Sequence, residues 1–230
     1  MLLESVRTAL AFFAHPDDEA LAAGGTIARL RRSGADVTVA LPATGVLARQ
    51  GRRPQRLREL ARLRGDCVRA LARLGVPRDS LIFGDFPDNA MDGRPLLELV
   101  HWVEEIMTRL RPQLVLTHHR FCTNVDHQRC HEAAVVVTRP APGRRPHVLA
   151  GEVPSSTGYL RPTHWEPNVY VELRPEDLAA KMEAMACYRD ETRKDPHPRS
   201  PEALRALAKV RGSEAGVLWA EAFMAHRLHA

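Results

Sequence analysis

The stretch FFAHPDDEALAAGG, residues 12–25, decides how this chain folds. An apolar run, Thr8 to Ala14, ends abruptly in His15-Pro16-Asp17-Asp18-Glu19, and small and apolar residues then follow at helical spacing. This reads as a buried strand, a tight turn and a helix, with Pro16 suited to the first helical turn. Three acids at the end of a buried strand need a reason, because an ionised carboxylate buried without a partner costs several kcal/mol, on the order of a domain's whole stability. A cation, a hydrogen-bond network or open water would satisfy them, and a metal ion meets the need directly.

Working outward, the apolar runs DVTVAL (36–41), SLIF (80–83), QLVLT (113–117) and HVLAG (147–151) repeat the short-strand pattern, each separated by a longer amphipathic segment. The alternation predicts strands near 7–14, 36–42, 80–84, 113–118, 147–152 and 168–173. Helices are predicted near 19–33, 55–75, 95–110, 127–139, 175–188, 201–211 and 214–227. Strands alternating with helices specify an α/β fold, a Rossmann-like three-layer sandwich with a mostly parallel sheet and helices on both faces. In the doubly wound order the first strand lies beside the fourth, and ligands bind outside their carboxyl ends. The fourth strand ends in His118-His119 and is followed by RFCTNVDHQRCHEAA (120–134), so the two most polar, histidine-rich segments are expected to meet in one crevice.

The 230 residues carry no low-complexity or Ser/Gly-rich divider, and a single domain over 1–230 is expected. The apolar runs fall far short of the roughly 20 residues that cross a bilayer. The start MLLESVRT shows no basic region ahead of a long apolar segment. Cys67, Cys122, Cys130 and Cys187 form no CxxC pair, which fits reduced thiols. A cytoplasmic protein without membrane partners is the expectation.

The formal charge is +5, and its excess is concentrated in residues 47–78, where ten arginines face Glu59 and Asp66. A helix there would place Leu60, Leu63, Cys67, Leu71 and Leu74 on one face and most arginines on the other. Such a face could serve nucleic acid or a phosphorylated partner, but no aromatic residues interleave, so a solvated helix face is the favoured reading and nucleic acid is disfavoured. Gly24-Gly25 matches neither a dinucleotide fingerprint nor a P-loop.

In the turn after the first strand, residues three apart share a side, so His15 and Asp18 can grip one ion while Asp17 points at what that ion holds. A third neutral ligand would leave a fourth position open, the pattern of catalytic zinc. His127 is the best candidate; His118, His119 and His131 stand close by in sequence. Glu19 reads as helix first-turn chemistry, and Asp88, Asn89 and Asp92 read as turn residues before they read as substrate contacts.

HPDD behind strand one and NVDH behind strand four together resemble the paired signatures of the LmbE/PIG-L family of zinc-dependent N-deacetylases. TGVLAR (44–49), GDFPDNAMDG (84–93), GEVPSST (151–157) and DETRKDPHPRSPEALRALAKVRGSEAG (190–216) also resemble family blocks in the same order. The resemblance implies that His15, Asp18 and His127 bind Zn2+, with another divalent transition metal as the alternative, and that Asp17 is the general base. It also implies a substrate-contacting arginine in the arginine-rich segment, Arg56 or Arg62. HPRS and EVPSS acquire no role from it.

The chain departs from the family where HPDH is common: Asn124 stands in place of the first histidine. Asn124 can donate to an oxyanion but cannot deliver a proton, so Asp17, His118, His119 or water must do so. Asp126 either orients an imidazole or caps a helix. The expected reaction is hydrolysis of an acyl group, most naturally acetyl, from the nitrogen of a small-molecule amino sugar or sugar conjugate. The alternatives are an amidase on a thiol conjugate or antibiotic precursor, and a nucleic-acid or nucleotide binder using residues 47–78. Oligomeric state is left open, a homo-oligomer included.

Overall fold

The computed structural model describes residues 2–43, 45, 53–143, 145–161 and 164–229. Its strands are β1 (Thr8–Phe12), β2 (Asp36–Ala43), β3 (Leu81–Phe86), β4 (Leu114–His118), β5 (His147–Gly151), β6 (Val169–Glu172) and β7 (Ala220–Arg227). Its helices are α1 (Asp18–Arg32), α2 (Arg53–Arg73), α3 (Leu96–Leu110), α4 (Val125–Val137), α5 (Pro175–Cys187) and α6 (Pro201–Glu214). The seven strands form one sheet in the order β3-β2-β1-β4-β5-β7-β6. The first five are mutually parallel, and β7 runs antiparallel to both β5 and β6.

Alternation along β1 shows how the layers form. Ala9, Ala11 and Phe13 join the core beneath α1, α2, α5 and α6, while Leu10, Phe12 and Ala14 join the core beneath α3 and α4. A strand buried on both faces reads as a continuous apolar run, which is why TALAFFA carries no polar alternation. The arginines of α2 meet acids as well as solvent: Arg62 pairs with Asp190, Arg69 with Asp66, and Arg73 approaches Glu183 at 3.7 Å. This is the solvated, partly paired helix face that its apolar stripe predicts.

One predicted element is corrected. The helix expected over 214–227 is a strand: α6 stops at Glu214, Gly216 turns the chain at φ 71°, and β7 begins at Ala220. The alanines of WAEAFMAH favour a helix locally, but the slot between β5 and β6 offers a ladder on both sides, and tertiary pairing outweighs local propensity. β7 also brings Glu221 inside. Its carboxylate accepts from Gly25 N (2.9 Å) and Thr26 N (2.7 Å), and Lys181 Nζ donates to it (2.6 Å) and to Leu21 O (2.8 Å). This ion pair therefore ties α1 to β7 and α5. A Cβ at Gly25 would lie 2.6 Å from the Leu173 side chain, which would have to shift to admit one.

No helix among the described residues is long and apolar enough to cross a membrane.

Candidate metal centre and catalytic crevice

At the carboxyl ends of β1 and β4 the chain opens a crevice of about 130 Å3, lined by His15, Asp17, Asp18, Asp88, Asn89, Asn124 and His127 among others. The topology does bring the two histidine-rich segments together. Asp18 Oδ2 lies 3.2 Å from His15 Nδ1 and 3.2 Å from His127 Nε2, and it accepts the His15 backbone N–H at 3.0 Å. His15, Asp18 and His127 each offer one ligand atom, all within 4.8 Å of one another. Two imidazole nitrogens and a carboxylate oxygen form a donor set suited to zinc.

The other nitrogen of His15 is already committed: Nε2 lies 2.9 Å from Asp126 Oδ2 and 3.3 Å from Asp88 Oδ1. A carboxylate on the far side of a ligand imidazole fixes the tautomer that leaves Nδ1 for a metal. Asp126 is held in turn by Asn89 N (2.6 Å) and Met91 N (3.0 Å). Burial pulls the His15 pKa down, but Asp126, Asp18 and Asp88 outweigh it and hold it well above the usual 6.5. Burial pushes the Asp18 carboxyl up, and His127 and His118 outweigh it and hold it well below the usual range. A site that concentrates three carboxylates around one imidazole has the excess of negative charge that a divalent cation would balance, so the residues present fit a metal.

A second group, His118, Cys122 and His127, also has ligand atoms close together. It fits a metal less well. His118 Nε2 accepts the Ala14 backbone N–H at 2.8 Å, Cys122 Sγ lies 3.1 Å from Thr157 Oγ1, and burial pushes the Cys122 thiol up to about 12. The His118 ring stacks on His127 at 3.8 Å between centroids and is fully buried. It supports His127 from behind. His119 packs edge-on against Trp165 and Phe121, and His131 Nδ1 lies 2.8 Å from His118 O. None of these three histidines lines the crevice as described.

Asp17 occupies the turn at φ 113° and ψ −30°, a backbone conformation that few non-glycine residues adopt. Its N–H donates to Glu19 Oε2 (3.1 Å), and Glu19 Oε1 accepts from Tyr188 OH. The sequence reading missed this use of Glu19, which is fully buried with its pKa raised to about 7, chiefly by burial. Asp17 itself is held well above the usual carboxylate range, first by burial, with Asp18, Glu191 and Glu19 adding and Arg199 opposing. Arg199 Nη1 donates to Asp17 Oδ2 at 2.6 Å.

Asn124, not Asp126, caps α4: its Oδ1 accepts Asp126 N at 2.8 Å, while Nδ2 donates to Asn89 Oδ1 at 2.8 Å. Asp88, read from sequence as a turn residue, is buried against His15. Gly45 lines the crevice at φ 82°, where a Cβ would press on Pro16 at 3.1 Å. Thr44, and all of the TGVLAR block except Gly45, lie outside the described residues. Neither Arg56 nor Arg62 is among the described lining residues.

The family model for GlcNAc-PI de-N-acetylase, PIG-L, matches residues 10–138, more than half of the chain and both histidine-rich segments. The chain belongs to the PIG-L family. Membership makes it an N-deacetylase-type hydrolase, acting on a linear amide C–N bond, and PIG-L deacetylases are metal-dependent. Among solved structures, the PIG-L chain is similar to N,N'-diacetylchitobiose deacetylase from Pyrococcus horikoshii, with 19% identity and a TM-score of 0.77 over 97% of this chain and 85% of that one. It is equally similar in shape to GalB, the 4-carboxy-2-hydroxymuconate hydratase from Pseudomonas putida KT2440, with 21% identity, a TM-score of 0.77 and coverage of 97% and 98%. The A40926 pseudoaglycone deacetylase Dbv21 matches at 18% identity and a TM-score of 0.71, with coverage of 97% and 99%. These likenesses establish the fold, which carries deacetylases and a hydratase alike, so the chemistry must be argued from the site.

Proposed function

We propose that this chain is a single-domain, cytoplasmic, zinc-dependent N-deacetylase that removes an acetyl group from the nitrogen of an amino sugar or sugar conjugate, with His15, Asp18 and His127 holding the metal and Asp17 as general base. The observation that carries this reading is the convergence of His15 Nδ1 and His127 Nε2 on Asp18 Oδ2, with Asp17 beside them in the same crevice. Bound zinc supplies a Lewis acid that polarises an acyl oxygen and makes water acidic near neutral pH.

The rest falls to the protein's own groups. Asp17 takes a proton from water as the new C–O bond forms and returns it to the nitrogen as the C–N bond breaks, releasing acetate and a free amine. A carboxyl raised by burial suits both halves of that transfer. His118, whose Nε2 accepts the Ala14 N–H and lies 3.5 Å from Asp18 Oδ2, and His119 and His131 are not among the described lining residues, so Asp17 is the crevice's group for protonating the leaving amine. Asn124 lines the crevice with one amide hydrogen given to Asn89 and the other available to a developing oxyanion. Asp126 orients His15.

Metal analysis of the purified protein, followed by a screen of N-acetylated sugars, thiol conjugates and glycopeptide precursors for amine and acetate, tests the reading. One zinc per chain and equimolar amine and acetate are expected. Protein that takes up no zinc and releases no acetate when zinc is added would overturn it. Binding of nucleic acid that weakens steeply with salt would favour the rival class instead.

A further inference from the structure

The geometry points to Arg199 as the residue that positions Asp17. This rests on the proposed role of Asp17 as base. It also gives a use to HPRS and EVPSS, two motifs that the sequence reading leaves without a role.

Asp17 is attached to the molecule at two ends. Its backbone N–H is held by Glu19, which is held by Tyr188 OH. Its carboxylate is held by Arg199, whose Nη1 reaches Asp17 Oδ2 at 2.6 Å and Glu191 Oε2 at 3.4 Å. Both restraints converge on the turn that follows α5, because Glu191 N donates to Tyr188 O at 3.1 Å. A non-glycine residue at φ 113° is strained and persists where its surroundings over-determine it. Here they do.

Arg199 is itself placed by both motifs. In HPRS, the backbone N–H of Ser200 donates to His197 O (2.8 Å), the Arg199 N–H donates to His197 Nδ1 (3.1 Å), and Ser200 Oγ caps α6 by accepting Ala203 N (3.0 Å). In EVPSS, Ser156 N donates to Val153 O (2.9 Å) and Val153 N donates to Oγ1 of Thr157, the residue that follows the motif (3.0 Å), which fixes the turn that carries Ser155. Ser155 Oγ then accepts Arg199 Nε at 2.9 Å. The guanidinium is thus oriented by a serine through Nε and grips the carboxylate through Nη1, a directional arrangement that a lysine point charge cannot reproduce. Among the described residues Asp17 Oδ1 takes no hydrogen bond, so the grip on Oδ2 selects which oxygen serves the reaction.

The test is Arg199→Ala, Arg199→Lys and Arg199→Ala/Asp17→Asn in zinc-loaded enzyme. Arg199→Ala is expected to keep its zinc and its KM and to lose about 10–100-fold in kcat, the cost of a misplaced reacting group. Free guanidinium should restore part of that loss, and Arg199→Lys should retain an intermediate rate. In the Asp17→Asn background Arg199→Ala should change the residual rate by less than about twofold, because the two residues act as one unit. An equal loss in both backgrounds, or a loss in KM alone, would show that Arg199 serves the substrate and not Asp17. Unchanged kcat in Arg199→Ala would also overturn the inference. Should the wild type itself prove inactive on every acylated substrate, the functional reading fails, and the position of Asp17 is then read directly: a crystal structure of zinc-loaded Arg199→Ala with the Asp17 carboxylate unmoved would overturn the positioning role.

Discussion

At the scale of single residues, two carboxylates that look alike in sequence have separable work. Asp17 touches water and the leaving nitrogen in the proposed reaction, and its amide isostere is not a base. Asp17→Asn is therefore expected to retain zinc and lose about 10²–10⁴-fold in kcat; near-normal turnover would place the base elsewhere. Asp126 acts through His15, so Asp126→Ala should weaken zinc binding by about 10–100-fold, read by competition with a chelator, before it affects chemistry. HPDD and NVDH stand out in the sequence as a candidate metal-site pair through their resemblance to the PIG-L signatures, and the structure brings the two segments into one crevice. Glu19, Arg199 and Asp88 were not legible, because a carboxylate or guanidinium has no periodicity to betray a partner far along the chain, Tyr188 for Glu19, Asp17 for Arg199 and His15 for Asp88.

At the scale of elements, α1 depends on β7. The Lys181–Glu221 pair is buried and ties α1 to β7 and α5, with Glu221 accepting from Gly25 N and Thr26 N and Lys181 donating to Leu21 O. Removing one partner leaves Lys181 as an uncompensated buried charge, so Glu221→Ala should lower unfolding free energy by about 3–5 kcal/mol in denaturant titration. Zinc affinity of the folded fraction should fall less than stability does, because Asp18, though it opens α1, has its carboxylate held by the His15 N–H and by His127 and not by the pair. This is also where the sequence misled. Residues 214–227 hold helix-forming alanines and no turn signal stronger than Gly216, yet two open strand edges capture them. Strands β1 to β5 posed no such conflict, since short apolar runs between amphipathic helices have one economical arrangement.

At the scale of the whole molecule, stability is linked to metal and to pH. If zinc binds only the folded state, saturating it at about 100 times its dissociation constant adds about 2.7 kcal/mol. Chelation should then lower Tm by roughly 5–10 °C for a chain of this length, and an unchanged Tm would argue against a bound metal. His131 supplies part of the pH dependence, alongside His118 and His119, whose pKa burial also lowers. Burial, aided by His226 and opposed by the bond to His118 O, lowers the His131 pKa from 6.5 to about 4 in the folded chain. Between those values the unfolded state holds more protons, so stability is fully present above about pH 6.5 and is lost progressively as pH falls toward 4, by about 3 kcal/mol at most. His131→Gln should make the stability profile less steep across that window in thermal melts at fixed ionic strength; an unaltered slope would assign the dependence to His118, His119 and other groups.

The sequence by itself determined the parallel α/β core, because hydrophobic period is a local property of the chain, and it offered His15, Asp18 and His127 as candidate ligands through local spacing in HPDD and the resemblance of NVDH to a family signature. The tertiary structure alone decided that residues 220–227 form a strand, that Asp126 faces His15, that His118 stands behind His127, and that two serine-bearing loops join to hold Asp17 through Arg199. Each of these is a pairing of groups distant in sequence, fixed by where the sheet order places its strand ends and loops, and no local pattern encodes such a meeting.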